Sequence, residues 1–392
     1  MTDLGAARSL TVTPVDPHRC ICAVAMKPDT DFRIAQIDVQ PMDIPLDDEF
    51  VISRGRVDHV ESAFVRVRLE GGAEGIGEAA PFPALTGETR DETTLAILRL
   101  REGLLDQSVL HSRRLAARMA AAEPDHPAAR CGLETALLDA LTRALGIPLW
   151  TWLGGARPEL QPETDITLPI LPVTRTLELA EQWYARGFRR IKTKVGLDAD
   201  ADTERVRRIA EALDDVRFVL DANQGFRPDV AIRFFRALLQ SGVRIELIEQ
   251  PVARDDLLGM AAVRKGVDVP LVADESVTSP AEAVDVIRSG AADVINLKIM
   301  KSGVFGALQI AAVTRAAGLR LMIGGMMETR LAMGCSLALV VGRGEIDFVD
   351  LDTPLLMASD PVRGGFRYDG PRMVPCFKPG LGCELAPEDL RA

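Results

Sequence analysis

From Thr164 to Asp352 the chain repeats one unit: a short apolar run, a polar or acidic residue, then an amphipathic helical segment. Strand-like runs that alternate with helical segments predict parallel βα units. The runs are TDITLPIL, RIKTKVG, VRFVLDAN, RIELIEQP, VPLVADES, DVINLKIM, LRLMIGGMME and IDFVDLD, and eight of them predict a closed parallel barrel. Upstream the period changes. FRIAQIDVQPMDIPL and ESAFVRVRLEGGAEGIGEAAP alternate apolar and polar residues around glycine-rich turns, which predicts an antiparallel sheet. DETTLAILRLREGLL and HPAARCGLETALLDALTRALG carry apolar residues at helical spacing, so residues 33–157 are expected to form an α+β domain. Residues 1–32 show no periodicity and are expected to be a flexible extension.

The polar residues that end the barrel runs keep the same beat. Lys194, Asp221, Glu249, Asp274, Lys298, Glu328 and Asp350 follow one another at steps of 22 to 30 residues, the length of a βα unit. In a parallel barrel these ends converge on the rim where such folds build their active sites. Taken singly, each is also a good loop or helix-cap residue. Asp221, Glu249 and Asp274 occupy three consecutive strand ends and are hard anionic oxygen donors of the kind Mg²⁺ takes. The alternative is three separate caps, but three adjacent anions repel unless a cation neutralises them.

Lys194 precedes these carboxylates in strand order and Lys298 follows them, so across a closed barrel the two amines face each other. Two bases on opposite faces of one carbon remove a proton from one side and return it to the other, which inverts the centre. Lys192 shares a strand face with Lys194, and like charge at that spacing is expected to push Lys194 toward the neutral amine. From RIKTKVG alone, an edge strand protected by two exposed lysines fits as well.

Composition narrows the field. Hydrophobic residues make up 47% and charged residues 26%, ordinary for a folded protein. The net charge of −11 argues against nucleic acid or an anionic membrane as partner. Six scattered cysteines show no zinc-type spacing or disulfide framework, and no apolar run approaches a membrane span or signal peptide, so a cytoplasmic protein is expected. All four histidines precede the barrel, which leaves proton transfer there to lysine or carboxylate. The chain has no G-x-S-x-G elbow, no P-loop and no strand-embedded dinucleotide fingerprint.

Lys192-Thr-Lys194, DAN from Asp221, EQP from Glu249, ADES from Ala273 and NLK ending at Lys298 together resemble the muconate lactonizing enzyme subgroup of the enolase superfamily. The resemblance runs over nearly everything after residue 32, including GIGEAAP. It implies a modified TIM barrel, (β/α)7β, over residues 158–355, an α+β capping domain at 33–157, and a segment from 356 to 392 that returns to the cap. It also implies a Mg²⁺ site, a two-lysine mechanism with Lys194 serving the L and Lys298 the D configuration, and a symmetric homo-oligomer.

Within the subgroup the last strand separates the reactions. FVDLDTP, with Asp350 and Asp352, looks like the acid pair by which dipeptide epimerases hold a dipeptide's α-ammonium group, and GGMMETR with Glu328 matches the same group. The resemblance therefore implies dipeptide epimerisation at the C-terminal residue. N-acylamino acid racemisation or o-succinylbenzoate synthesis is the alternative, and a non-catalytic barrel that binds a carboxylated metabolite is the rival from another class. KSGV at Lys301–Val304 departs from the pattern, with Val304 where a glycine is expected. Arg54 and Arg56 fall in the loop that contacts the substrate side chain in relatives, and Met326 and Met327 offer an adaptable apolar lining instead.

Overall fold

A computed structural model describes residues 28–53, 55–83 and 87–385. Arg54 lies outside the described residues, as do residues 1–27 of the expected extension. Asp29–Phe32 form a 3-10 turn that buries Phe32, so order begins before residue 33.

Three strands, β1 (Ile34–Ile52), β2 (Gly55–Leu69) and β3 (Glu74–Ala79), pair antiparallel in that order. Helices α1 (Arg90–Leu104), α2 (Ser112–Ala122), α3 (Pro127–Leu145) and α4 (Leu149–Trp152) follow. Helix α1 opens with a capping box, in which Thr89 accepts from the Glu92 amide and Glu92 reaches back to the Thr89 amide. Helix α3 packs so tightly on β3 that a Cβ on Gly77 would stand 2.0 Å from the Gly132 carbonyl oxygen, which is why the GIGEAA strand uses glycine.

The second half is the expected alternation. The strands β4 (Ile166–Leu168), β5 (Arg190–Lys194), β6 (Arg217–Asp221), β7 (Ile245–Glu249), β8 (Leu271–Ala273), β9 (Val294–Leu297), β10 (Arg320–Gly324) and β11 (Phe348–Asp350) form one parallel ladder in sequence order. Seven helices connect them: α5 (Val173–Ala185), α6 (Ala199–Ala212), α7 (Pro228–Gln240), α8 (Leu257–Gly266), α9 (Pro280–Ser289), α10 (Ile299–Ala316) and α11 (Arg330–Arg343). This is the (β/α)7β order. The seam between β11 and β4 closes through the Asp165 amide, 3.3 Å from the Val349 oxygen, and the Leu351 amide, 2.8 Å from the Thr164 hydroxyl. Val219, Leu247, Val272, Val294 and Met322 fill the barrel interior below the rim. Among the described residues no helix is long and apolar enough to cross a membrane.

Two buried carboxylates of the N-terminal half reach across to helix starts in the barrel. Glu78 on β3 accepts from the Thr329 amide at 3.0 Å, from its hydroxyl and from the Ala332 amide, at the start of α11. Glu134 on α3 accepts from the Phe305 amide at 3.1 Å, where Gly303 at φ 72° interrupts α10. Orphan amides at a helix start favour an anion, so each carboxylate caps a helix that is not its own. Toward the end of the described residues, Leu149 donates to the Gly380 oxygen and Leu381 to Asp139 on α3, so the segment around Gly380 packs on the helices that precede the barrel.

Candidate active site

Parallel pairing sets the site. Register places Lys194 beside Asp221 and Asp221 beside Glu249, so neighbouring strand ends deliver amine and carboxylates to one layer. Lys192, Lys194, Lys298, Asp350 and Asp352 line one cavity of about 30 Å³ at the rim, roofed by Phe50, Ile52 and Phe82 and walled by Met326 and Met327. Asp221, Glu249 and Asp274 are each fully buried, and Asp274 lines a neighbouring cavity of about 440 Å³ with Lys301. A separate cavity of about 970 Å³ between α2 and α10 holds none of these residues.

Lys192 sits among carboxylates from other strands. It is 2% exposed and stands 2.7 Å from Asp350, 2.8 Å from Glu249 and 3.0 Å from Asp221. Burial opposes its charge, yet these carboxylates hold its pKa well above the ordinary lysine value. Closing the barrel brings Asp350 and Glu249 from distant strands, so Lys192 is a charge hub among anions, and its neighbours rather than Lys194 set its state.

Lys194 reaches Asp221 at 2.6 Å, with its amine 5.9 Å from the centre of the Phe50 ring. Lys298 reaches Asp274 at 2.7 Å; burial opposes its charge as well, but Asp274 keeps its pKa raised. Burial alone would raise Asp221, whereas Lys194 and Lys192 hold it at about 2. Glu249 is pushed up to about 8 by burial and by the charges of Asp221 and Asp274.

The donor set fits a hard divalent cation. Asp221 and Glu249 pair in register, Asp274 follows the next strand, all three are buried, and Glu249 Oε2 has no hydrogen-bond partner although the Lys192 amine is 2.8 Å away. Lys192 bridges Glu249 and Asp221 as a cation does, and the elevated pKa of Glu249 marks a place where positive charge is still short.

A different acid trio converges more tightly: oxygens of Asp165, Asp350 and Asp352 lie within 4.8 Å of one another. Burial and the neighbouring charges raise Asp165 well above the carboxylate range and Asp352 to about 7, while Lys192 holds Asp350 below its ordinary value despite burial. Three carboxyl groups this close and this buried are short of positive charge, which suits the site to a bound cation. Asp352 is fixed by accepting the Thr167 amide, and its other oxygen is unpartnered.

Two expected contacts lie elsewhere. Glu328 is buried and accepts from the Met326 amide at 2.6 Å, holding the loop beneath the cavity wall. Arg56 has a side chain 75% exposed, 3.6 Å from Glu49, and does not line the cavity.

Several participants escape sequence reading. Lys301 binds Asp274 Oδ1 at 2.7 Å and the Asp274 carbonyl at 2.6 Å, beside Lys298. Asp165 sits inside a run that reads as strand. Glu134 and Asp139 interrupt α3, whose buried residues lie all around it; an acid in a helix with no polar face must be buried, and that was the available signal.

A parallel barrel with lysines and carboxylates on its strand ends, roofed by an antiparallel sheet and helices, defines the enolase-like class. Residues 175–390 match the family described as enolase C-terminal domain-like, and residues 35–154 match the mandelate racemase / muconate lactonizing enzyme N-terminal domain. The chain belongs to this family within the enolase superfamily. It is similar to the aromatic dipeptide epimerase of Herpetosiphon aurantiacus, 41% identical over 90% of this chain and 99% of that one. The substrate-liganded L-Ala-D/L-Glu epimerase from Bacillus subtilis is 34% identical over 90% of this chain and 99% of its own, with a TM-score of 0.85. A dipeptide epimerase from Enterococcus faecalis, solved with Mg and L-Leu-L-Tyr, is 32% identical over 90% and 99%, with a TM-score of 0.86.

Proposed function

We propose that the protein is an isomerase that inverts the α-carbon of the C-terminal residue of a dipeptide by proton transfer between two lysines. The observation that carries this reading is that Lys194, Lys298, Asp350 and Asp352 line a single cavity. Lys194 removes the α-proton of the L form from one face, and Lys298 delivers a proton to the other; the D form runs in reverse. Asp350 and Asp352 bind the ammonium end and fix the dipeptide's direction in the site. Lys192 holds Asp350 in its ionised state while bridging toward Glu249 and Asp221. Phe50, Ile52 and Phe82 exclude water from the amines. At about 30 Å³ the cavity holds a water or two, so the β1 end that carries Phe50 must move to admit substrate.

Asp221, Glu249 and Asp274 are the residues that would hold a Mg²⁺ ion, with its charge favouring the carboxylate end of the substrate when electron density from the α-carbon flows there. Stripping divalent cations should abolish turnover and adding Mg²⁺ should restore it; full turnover in metal-free protein removes these residues from that role.

The acid pair favours a free dipeptide over an N-acylated amino acid, since a blocked amine has no charge to offer it. Charge-assisted hydrogen bonds in a buried site contribute about 2–3 kcal/mol, so the Asp350→Asn, Asp352→Asn double variant should lose roughly a hundredfold in kcat/KM for free dipeptides. α-Deuteration in D₂O, read for L-Ala-L-Xaa dipeptides and their N-acetyl forms, tests the assignment. A parent protein that prefers the blocked forms would replace it with an N-acylamino acid racemase.

A further inference from the structure

The catalytic cavity does not end at the acid pair. Phe50 and Thr167 line it and also line a second cavity of about 300 Å³, which opens between α5, the β1 end and the turn that follows Asp352. Its apolar wall is Leu46, Leu179, Trp183, Leu355 and Leu356. Trp183 is fixed: its ring stands edge-on to Phe188 at 5.3 Å, and the Arg186 guanidinium lies 4.0 Å from its centre. At the mouth Arg175 stands 2.8 Å from Asp48 and 3.2 Å from Glu178, and Asp47 and Arg186 are exposed there as well.

Thr167 joins the two cavities. Its amide is held by Asp352, so whatever Asp350 and Asp352 bind sits against Thr167. We infer that this second cavity receives the side chain of the N-terminal residue of the dipeptide and selects a large apolar one, aromatic or branched aliphatic. The inference rests on the dipeptide reading given above. A substituent one bond from the bound ammonium has two directions available. Inward it meets Asp165 and Lys192, buried and close-packed. Outward, past Phe50, it meets the 300 Å³ space, which is ample for an aromatic ring. An acidic or cationic side chain would leave water for the leucine and tryptophan wall, where Arg175 and Asp48 already hold one another and the remaining charges, Asp47 and Arg186, stand exposed at the mouth.

The test is a series of L-Xaa-L-Ala dipeptides with Gly, Ala, Leu, Phe, Glu and Lys at the N-terminal position, followed by α-deuteration and by epimerisation. One methylene in an apolar pocket is worth about tenfold or more in kcat/KM, so Leu and Phe should exceed Gly and Ala by at least that factor, with Glu and Lys below both. Leu179→Trp fills the cavity from α5, and Leu356→Trp fills it from the opposite wall. Each should remove the preference for Leu and Phe while leaving the Gly dipeptide within about threefold, which also reports that the variant is folded. Equal turnover of all six dipeptides by the parent overturns the subsite and leaves the epimerase reading standing. So does a uniform loss across the series in both filled variants. Turnover of no free dipeptide, with N-acyl amino acids accepted, overturns the epimerase reading itself and the subsite with it.

Discussion

The two lysine-bearing arms of the site are built differently. Lys194 ends a strand, contacts Asp221, and is covered by Phe50 from the edge of the antiparallel sheet. Lys298 opens α10 and shares Asp274 with Lys301, and the same helix is pinned at Phe305 by Glu134 from α3. One amine sits under a flap, the other in a braced corner. The same chemistry asked of both thus rests on a covering element in one case and on a tether from another part of the fold in the other. Variants that touch one arm should therefore give asymmetric kinetics.

The largest effect should come from the amines. Lys298→Ala is expected to lose epimerisation by a factor of 10³ or more yet still wash the α-proton of an L-dipeptide into D₂O, because Lys194 remains. Lys194→Ala should show the mirror result with the D-epimer. NMR exchange of the separate epimers reads both, and normal epimerisation by Lys298→Ala would remove the two-base mechanism.

A smaller effect sharpens the contrast. Glu134→Ala frees the α10 start and should slow exchange of the D-epimer on the order of tenfold while leaving the L-epimer within about twofold, since small misplacements of a catalytic group are costly. A general loss of packing would slow both alike, and that outcome would reduce Glu134 to a structural residue.

The smallest effect is thermodynamic. Burial raises Glu134 to about 7 from its ordinary 4.5, against the pull of the Phe305 and Val304 amides. Between those values the folded state keeps a proton that the unfolded chain gives up, so this group's share of stability falls as pH rises and is gone above 7. At about 1.4 kcal/mol per unit, the cost reaches about 3 kcal/mol. Denaturant midpoints at pH 5 and pH 8 should fall further for the parent than for Glu134→Gln; equal losses would show that the carboxyl titrates as it does in the unfolded chain.

What could be read from the chain alone follows from range. The strand runs, the intervening helices and the residues on strand ends are local patterns, and each of the eight runs contains a strand of the barrel. The charge state of Lys192 is a different kind of fact. It depends on Asp350, 158 residues away, and on Glu249, so the adjacent Lys194 was visible while the stronger partners were not. Lys301 hid for the same reason: in KSGV it reads as a loop residue, and only the fold turns it onto Asp274. Arg56 lies in a suggestive loop, yet which way its charge points depends on the fold, and it faces solvent beside Glu49.

The crossed capping by Glu78 and Glu134 has a consequence for how the molecule can come apart. Prising the antiparallel sheet and its helices off the rim exposes the first amides of α11 and of the second part of α10, and at the same stroke leaves two carboxylates without donors. Neither piece is then a finished object. The two halves are joined as a dovetail is joined, so they should melt in a single transition, and a grafted or shuffled barrel would need to bring its matching carboxylates with it.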